Sequence, residues 1–390
     1  MIDRIAGVSK KATSHAAATA TPGFIGFLRS EVALPIGLAS AVFFLWFGNH
    51  LGESNRPGIL LAVFIWLFVG VLWSAISVVR HADSLAVKFG EPYGTLILTL
   101  SAITIEVMMI SAAMLHGANN PTLARDMMFA VIMIALNGLI GLSLLLGGLR
   151  HREQQYNLQG AGAYLNSIMI LAVLSLVLPD FTTSLSGPRL TMTQEVFLIL
   201  VSLILYAVFL FLQTRRHAGH FQEVLRLGVA EETHHHDVIV RSTAFHAVML
   251  FVYLFVVVVL AEKFAIPMDN CIEHFGMPHA LGGAIVASLV LAPEALGGIR
   301  AAMDNHLQRS VNILHGSVLA SICLTIPAVL TIGIVTKRFV ILGLEGGALP
   351  LLILTLGASI VTFGSGKTSV LQGCFHLLLF AVFLFLIFCP

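Results

Sequence analysis

Eleven apolar runs dominate this sequence, at 31–48, 59–79, 94–115, 124–148, 164–179, 195–213, 243–261, 279–299, 310–335, 344–363 and 368–389. The hydrocarbon core of a bilayer is about 30 Å thick and takes roughly 20 helical residues to cross. No water inside it satisfies a stray peptide group, so segments of this length must be helices that close their own hydrogen bonds. The runs therefore predict an all-α integral membrane protein of about eleven transmembrane helices, with the lipid bilayer as its partner. Composition agrees, because 11% of the residues are charged against about 25% in soluble domains. A net charge of +1 argues against nucleic acid as a partner. Cys323, Cys374 and Cys389 fall in apolar runs and Cys271 in a connecting loop, which reads as four separate thiols and not as a disulfide framework. Residues 1–23, rich in Ala, Thr and Ser, lack the apolar core of a signal peptide and read as a flexible, non-cleaved tail.

The basic residues sort the connections. With the amino terminus placed in the cytoplasm, only Arg56, Arg125, Arg189, Lys263, Lys337 and Arg338 fall outside, and the other 15 of the 21 Lys and Arg residues fall inside. Such a bias follows the positive-inside rule and puts the carboxyl end on the outer side of the membrane. The chain then divides into a cytoplasmic tail (1–30), a first span and loop (31–58), five spans (59–213), a cytoplasmic loop (214–242) and five more spans (243–390). An odd number of spans turns the second set upside down relative to the first. That is the inverted-repeat plan of secondary transporters, whose sites lie near mid-membrane where the repeats meet.

Two acidic residues fit the plan. Glu106 in SAITIEVMMIS (101–111) and Glu294 in LVLAPEALGG (289–298) each sit in the second span of their set. An ionisable side chain at membrane depth is expensive and is rarely kept without a function. A protonated glutamic acid bonded to a neighbouring helix would account for one such residue, but packing does not account for two at matching places. Each glutamate span is followed by one rich in small and polar residues, NGLIGLSLLLGG (137–148) and NILHGSVLASICLTIP (312–327). Small residues let helices pack closely, and a broken helix can turn free carbonyls toward a cavity.

Seven stretches in this order resemble the bacterial calcium/proton antiporters of the cation/calcium exchanger superfamily: GEPYG (90–94), the intramembrane Glu106, NPTLARDMMF (120–129), SLLLGGLRH (143–151), LAPEALGG (291–298), QRSVNILHGSVLASICLTIPAV (308–329) and GSGKTSVLQGCFHLLLF (364–380). The resemblance covers most of the chain from about residue 30. It implies two inverted five-helix repeats plus an extra amino-terminal helix, and one essential glutamate from each repeat in a central cation site. Cytoplasmic calcium would be exchanged there for protons by alternating access. Many members of that family carry Gly-Asn four and three residues before each glutamate; this chain has Ala102 and Ile103, and Val290 and Leu291. That departure keeps sodium or potassium exchange for protons as an alternative. No cofactor is implied, only the transported ions, and a homo-oligomer stays open.

Calcium takes about six to eight oxygen ligands, and two carboxylates supply four at most. Asn137, Ser143, Asn312 and Ser317 are expected to add others, although each alone could equally be helix–helix glue. Gln308, Asn312 and His315 share one helix face and Ser317, Ser321 and Thr325 form a second polar line. His315 could relay protons or serve as a buried structural histidine, and His376 reads as structural. Asp126 could guard the outer mouth or cap a helix. In the loop 214–242, Glu231, Glu232, His234, His235, His236 and Asp237 form a cluster read as regulatory, with a solvated loop as the plain alternative. GSGKT at 364–368 lacks the first glycine of a phosphate-binding loop and sits between two spans, so nucleotide binding is rejected. With no HExxH or Gly-x-Ser-x-Gly element and no mid-span lysine, the chain reads as a transporter and not an enzyme.

Overall fold

The structure, a computed structural model, describes residues 31–52, 56–90, 93–116, 121–222 and 241–389. Among these, eleven helices follow in the order that the apolar runs predict. They are α1 (Ala33–Gly52), α2 (Pro57–Phe89), α3 (Tyr93–His116), α4 (Leu123–His151), α5 (Leu158–Phe181), α6 (Met192–Arg216), α7 (Thr243–His274), α8 (Ala280–Met303), α9 (Leu307–Thr336), α10 (Ala348–Thr362) and α11 (Val370–Phe388). Nine are long and apolar enough to cross a bilayer; α10 and the apolar part of α1 (Ala33–Gly48) are shorter.

Where the helices depart from the expected runs, packing against protein is the reason. α2 and α7 extend well past 79 and 261, and the extensions bury Ser84 and Leu85 on α2 and Phe264, Met268 and Ile272 on α7. Cys271, expected in a loop, is therefore buried inside α7. α5 starts ahead of 164 because Asn157 caps it, its side chain accepting from the N–H groups of Gln159 and Gly160. The run expected at 344–363 becomes helical only at Ala348. The chain before it is extended, with Val340, Leu342 and Leu344 buried. Its Ile341 N–H donates to the Pro121 carbonyl at 2.9 Å and its Leu344 N–H to the Leu176 carbonyl at 2.8 Å. Non-helical backbone at this depth is tolerated where protein satisfies it. Gly343 permits the crossing, since a Cβ there would lie 2.0 Å from Asp180 Oδ1.

A two-stranded ribbon is another feature that an all-α reading misses. β1 (Glu153–Gln155) pairs antiparallel with β2 (Lys367–Ser369) and ties the connection after α4 to the one before α11. The GSGKT stretch supplies the turn into β2, with Gly366 at φ 75°, a backbone region that glycine enters without penalty. Lys367 forms an exposed ion pair with Glu153 at 3.8 Å.

With α1 set aside, α2–α6 and α7–α11 are the two five-helix sets, and they interlock. α2 and α3 both pack on α7, and α4 packs on α8. π-helical turns open at Met133 in α4 and at Ser321 in α9, equally far along the chain beyond Glu106 and Glu294. Such turns are inserted mostly at functional places. The second half of α4 lies tight against α11, where a Cβ on Gly373 would meet Leu145 N at 2.6 Å and the Gly141 carbonyl at 2.9 Å. Gly373→Val is therefore expected to push α4 and α11 apart, destabilising the protein by about 1–3 kcal/mol and lowering its thermal unfolding midpoint in detergent. Gly357→Ala, where nothing lies within 4 Å of the new carbon, should leave the midpoint unchanged or slightly raised.

Candidate functional site

Glu106, just past the middle of α3, and Glu294, just past the middle of α8, line one cavity of about 440 Å³. Ala102 and Ile103 of α3, Val290 of α8 and Asn312, Gly316, Ser317 and Ala320 of α9 form its walls, with Tyr164 of α5 and Tyr206 and Phe209 of α6 closing the side. Gln222 and Arg309, both exposed, mark its mouth, beside the segment that follows α6.

The Glu106 side chain is wholly buried. Its Oε2 accepts a hydrogen bond from the Ser321 hydroxyl at 2.6 Å, while its Oε1 has no partner among the described residues. Thr325, one turn beyond Ser321, faces the same carboxylate. Glu294 is half-buried, its Oε2 also lacks a partner, and the two carboxylates lie within electrostatic reach of each other. Pro293 has no N–H to donate, so the Leu289 carbonyl loses its helical partner just before Glu294. Two acidic groups with open oxygens in a shared, poorly solvated space call for positive charge between them.

The two halves of the site are not chemical copies. Ser321 opens the π turn of α9, but the matching position in α4 is Met133, whose sulfur lies 3.5 Å from both Asn137 Nδ2 and Thr355 Oγ1. Glu106 thus receives a hydroxyl from the opposite repeat, whereas the residue symmetric to that donor is a thioether.

Of the other residues that the sequence points to, Asn312 and Ser317 are in the cavity wall. The Asn312 amide is already committed, accepting from Gln308 Nε2 at 2.8 Å and donating to the Phe221 carbonyl at 2.6 Å. Gln308 Oε1 in turn accepts from the Asn157 N–H at 2.6 Å. This chain of bonds fastens the segment after α6 and the start of α5 onto the rim. Asn137 and Ser143 do not line the cavity. Asn137 donates to Thr355 Oγ1 at 2.8 Å and bonds His376 Nδ1 at 3.1 Å, and His376 Nε2 reaches Thr362 Oγ1 at 3.0 Å. Ser143 is buried without a partner for its hydroxyl among the described residues.

His315 also lies behind the wall. Its Nδ1 donates to the Val311 carbonyl at 3.1 Å, and its ring packs edge-on against Phe363. Asp126 pairs with Arg125 at 2.9 Å and accepts from Thr122 at 3.1 Å in the first turn of α4. Glu231, Glu232, His234, His235, His236 and Asp237 lie outside the described residues. Sequence reasoning put Ser317 forward as a ligand and left Ser321 in a general polar line. The equal spacing of Ser321 and Met133 beyond their glutamates was the signal that could have singled Ser321 out.

Comparison with known proteins bears on this arrangement. The family model described as sodium/calcium exchanger protein matches residues 59–215 and 245–389, the two five-helix sets. The protein y4hA of Sinorhizobium fredii is 41% identical over 85% of this chain and 89% of its own length. The sodium-potassium/proton antiporter ChaA of Escherichia coli is 38% identical over 90% of this chain and 94% of its own. The solved structure of native YfkE, a calcium/proton antiporter, superposes with a TM-score of 0.71 at 18% identity, covering 92% of this chain and 99% of that one, a likeness of fold.

The 2.6 Å bond generates a direct test. Ser321→Ala leaves Glu106 without its hydroxyl donor and is expected to weaken cation binding at pH 7 about tenfold, the scale of one hydrogen bond to a charged group. Ser317→Ala, which removes a wall hydroxyl but breaks no bond to either glutamate, should weaken binding less than Ser321→Ala does. Cation titration of the purified variants, with thermal midpoints as a control for folding, reads the difference.

Proposed function

The chain belongs to the sodium/calcium exchanger family, and on that premise we propose that it is a secondary transporter exchanging cytoplasmic cations for protons, with Glu106 and Glu294 binding either in turn. The observation that carries this reading is a cavity shared by two carboxylates, one from the second span of each repeat, each with an oxygen unpartnered among the described residues. Two ionised carboxylates in a low-dielectric space repel, and one divalent cation or two protons compensates both. Carrying the empty, doubly ionised site across the membrane would leave two charges uncompensated. Only the loaded forms then switch readily, which makes the protein an exchanger and not a leak.

Calcium is the first reading because its charge matches the pair. Ser317, Ser321, Thr325 and the free Leu289 carbonyl would add oxygens to the four of the carboxylates. In this proposal Asn137 and Ser143 hold helices together, Asn312 fastens the rim and His315 is left off the ion path. Sodium or potassium is the second reading, favoured by the apolar Ala102, Ile103 and Val290 in the wall and by Met133 at the place symmetric to Ser321. The Escherichia coli relative, a sodium-potassium/proton antiporter by name, points the same way. The basic-residue bias orients the amino terminus toward the cytoplasm of a bacterial inner membrane, so the described cavity opens inward.

Purified protein in liposomes with an internal pH dye, challenged separately with calcium, sodium and potassium, tests the reading. Proton flux with calcium supports the first cation assignment, flux with sodium or potassium alone supports the second, and none with any cation overturns both. Glu106→Gln and Glu294→Gln should each abolish exchange while the protein still inserts and purifies, because glutamine keeps the volume and removes the titratable charge. Near-normal flux in either variant would remove that residue from the mechanism.

The pH dependence follows from shared occupancy. Falling pH fills the carboxylates with protons, so the cation half-saturation on that side should rise. Below the titration range, the rise is about a hundredfold per pH unit if two protons are displaced and about tenfold if one is. Half-saturation indifferent to pH would mean that the glutamates are not a shared site.

A further inference from the structure

Away from the cavity, where α2 ends and α7 begins, a second group of ionisable side chains meets in the protein interior. Glu31, just ahead of α1, His81 of α2 and His246 and Tyr253 of α7 are all buried. Glu31 Oε2 accepts from the half-exposed Arg80 guanidinium, from the Tyr253 hydroxyl at 3.0 Å, and faces His81 Nε2 at 3.4 Å. The other ring nitrogen of His81, Nδ1, lies 3.0 Å from His246 Nδ1. The His81 ring also stacks on Tyr253, with centroids 5.6 Å apart. His246 Nε2 is buried with no partner among the described residues. None of these groups lines the cavity that holds Glu106 and Glu294.

The bond between the rings depends on their protons. Two imidazole nitrogens at this distance attract only while a single proton lies between them, one nitrogen donating and the other accepting. Charging one ring preserves that arrangement, and Glu31 balances the charge on His81. Charging both rings turns N–H against N–H. Among the described residues the second charge would then have no counter-ion of its own, since Arg80, Lys88 and Arg241 are the other charged groups around the rings. Lys88 donates to the Arg241 carbonyl, and the Arg241 guanidinium lies 4.7 Å from the Phe245 ring centroid. His246, the ring that bonds no carboxylate among the described residues, therefore takes the second proton, and that proton breaks the tie.

The place of the cluster gives the tie its meaning. α1 stands outside both repeats, α2 begins one repeat and α7 begins the other, so Glu31, His81 and His246 join all three at one end of the bundle. α1 is also seated closely on α7 along its length, where a Cβ on Gly37 would lie 2.9 Å from Val256 and one on Gly52 3.1 Å from Pro267. We propose that Glu31, His81 and His246 form a proton-binding site separate from the two glutamates, which latches α1, α2 and α7 together while His246 is neutral and releases them when it is protonated. Only the consequence for turnover rests on the exchange reading. Alternating access moves one repeat against the other, so the latch brakes turnover and acid on its side of the membrane releases the brake.

Hydrogen exchange of the full chain in detergent, without any cation, tests the latch independently of transport. Comparing variants at equal pH cancels the intrinsic pH dependence of exchange. His246→Asn keeps a donor near the Nδ1 position but cannot be charged. At about pH 8 it should match the wild type over residues 37–44 and 78–85, and at about pH 6, below the ordinary histidine range, the wild type should exchange several-fold faster there. His246→Ala, which removes the bond, should exchange fast at both pH values; His81→Asn serves in the same comparison if His246→Asn does not fold. Identical exchange in the wild type and the uncharged variant at both pH values would overturn the proposal. In liposomes at saturating cation, acid on the latch side should speed wild-type turnover several-fold and leave His246→Asn slow. Coincident pH profiles there would overturn the brake. An absence of flux in every protein would instead overturn the exchange reading, with the latch still decided by hydrogen exchange.

Discussion

Two carboxylates sharing one buried cavity cannot both stay ionised without a counter-charge, and most of the architecture can be read from that constraint. The glutamates come from helices α3 and α8, one from each five-helix set, and both line the shared space. The helices behind them are broken by π turns at Met133 and Ser321, as α5 and α6 are at Val173 and Leu212, and Pro293 loosens α8 one residue before Glu294. Regular helices would consume their own carbonyls and present a dry apolar wall. The break at Ser321 instead sets its hydroxyl, with Thr325 one turn beyond, against the Glu106 carboxylate.

The eleven helices, their order and the two glutamates that line one cavity were all legible in the sequence. Hydropathy measures the cost of putting a segment into hydrocarbon, and that cost is what fixes the spans. What stayed hidden depends on contact with protein. Nothing in the composition of 80–89 or 262–274 shows that those residues continue α2 and α7, because they pack on neighbouring helices and not on lipid. The extended segment before α10 looks apolar, and only its bonds to Pro121 and Leu176 reveal why it need not be helical.

Side-chain direction was hidden for the same reason. Asn137, Asn312 and His315 are polar residues in spans, and the sequence cannot tell a group aimed at the cavity from one that bonds another helix. Asn137 spends both ends of its amide on Thr355 and His376, and Asn312 spends its own on Gln308 and Phe221. The cluster of Glu31, His81 and His246 was invisible for a further reason. Its members sit at the margins of apolar runs, far apart in the chain, where an ionisable residue looks like an ordinary helix end.

Inverted duplication fixes where residues stand but not what they are. Met133 and Ser321 occupy matching places, and so do Asn137 and Thr325, yet only the α9 pair faces a glutamate with hydroxyls. Hydroxyls therefore meet Glu106, from Ser321 and Thr325, whereas the place matching Ser321 in the other repeat holds a thioether bonded to Asn137 and Thr355. Under the exchange reading, a cation that needs many oxygens must draw Glu294 across to the Glu106 side, whereas a cation content with fewer can remain there with Glu294 protonated. Cation choice then turns on how freely α8 moves toward α9 around Pro293, so selectivity and the motion of the repeats become parts of one problem.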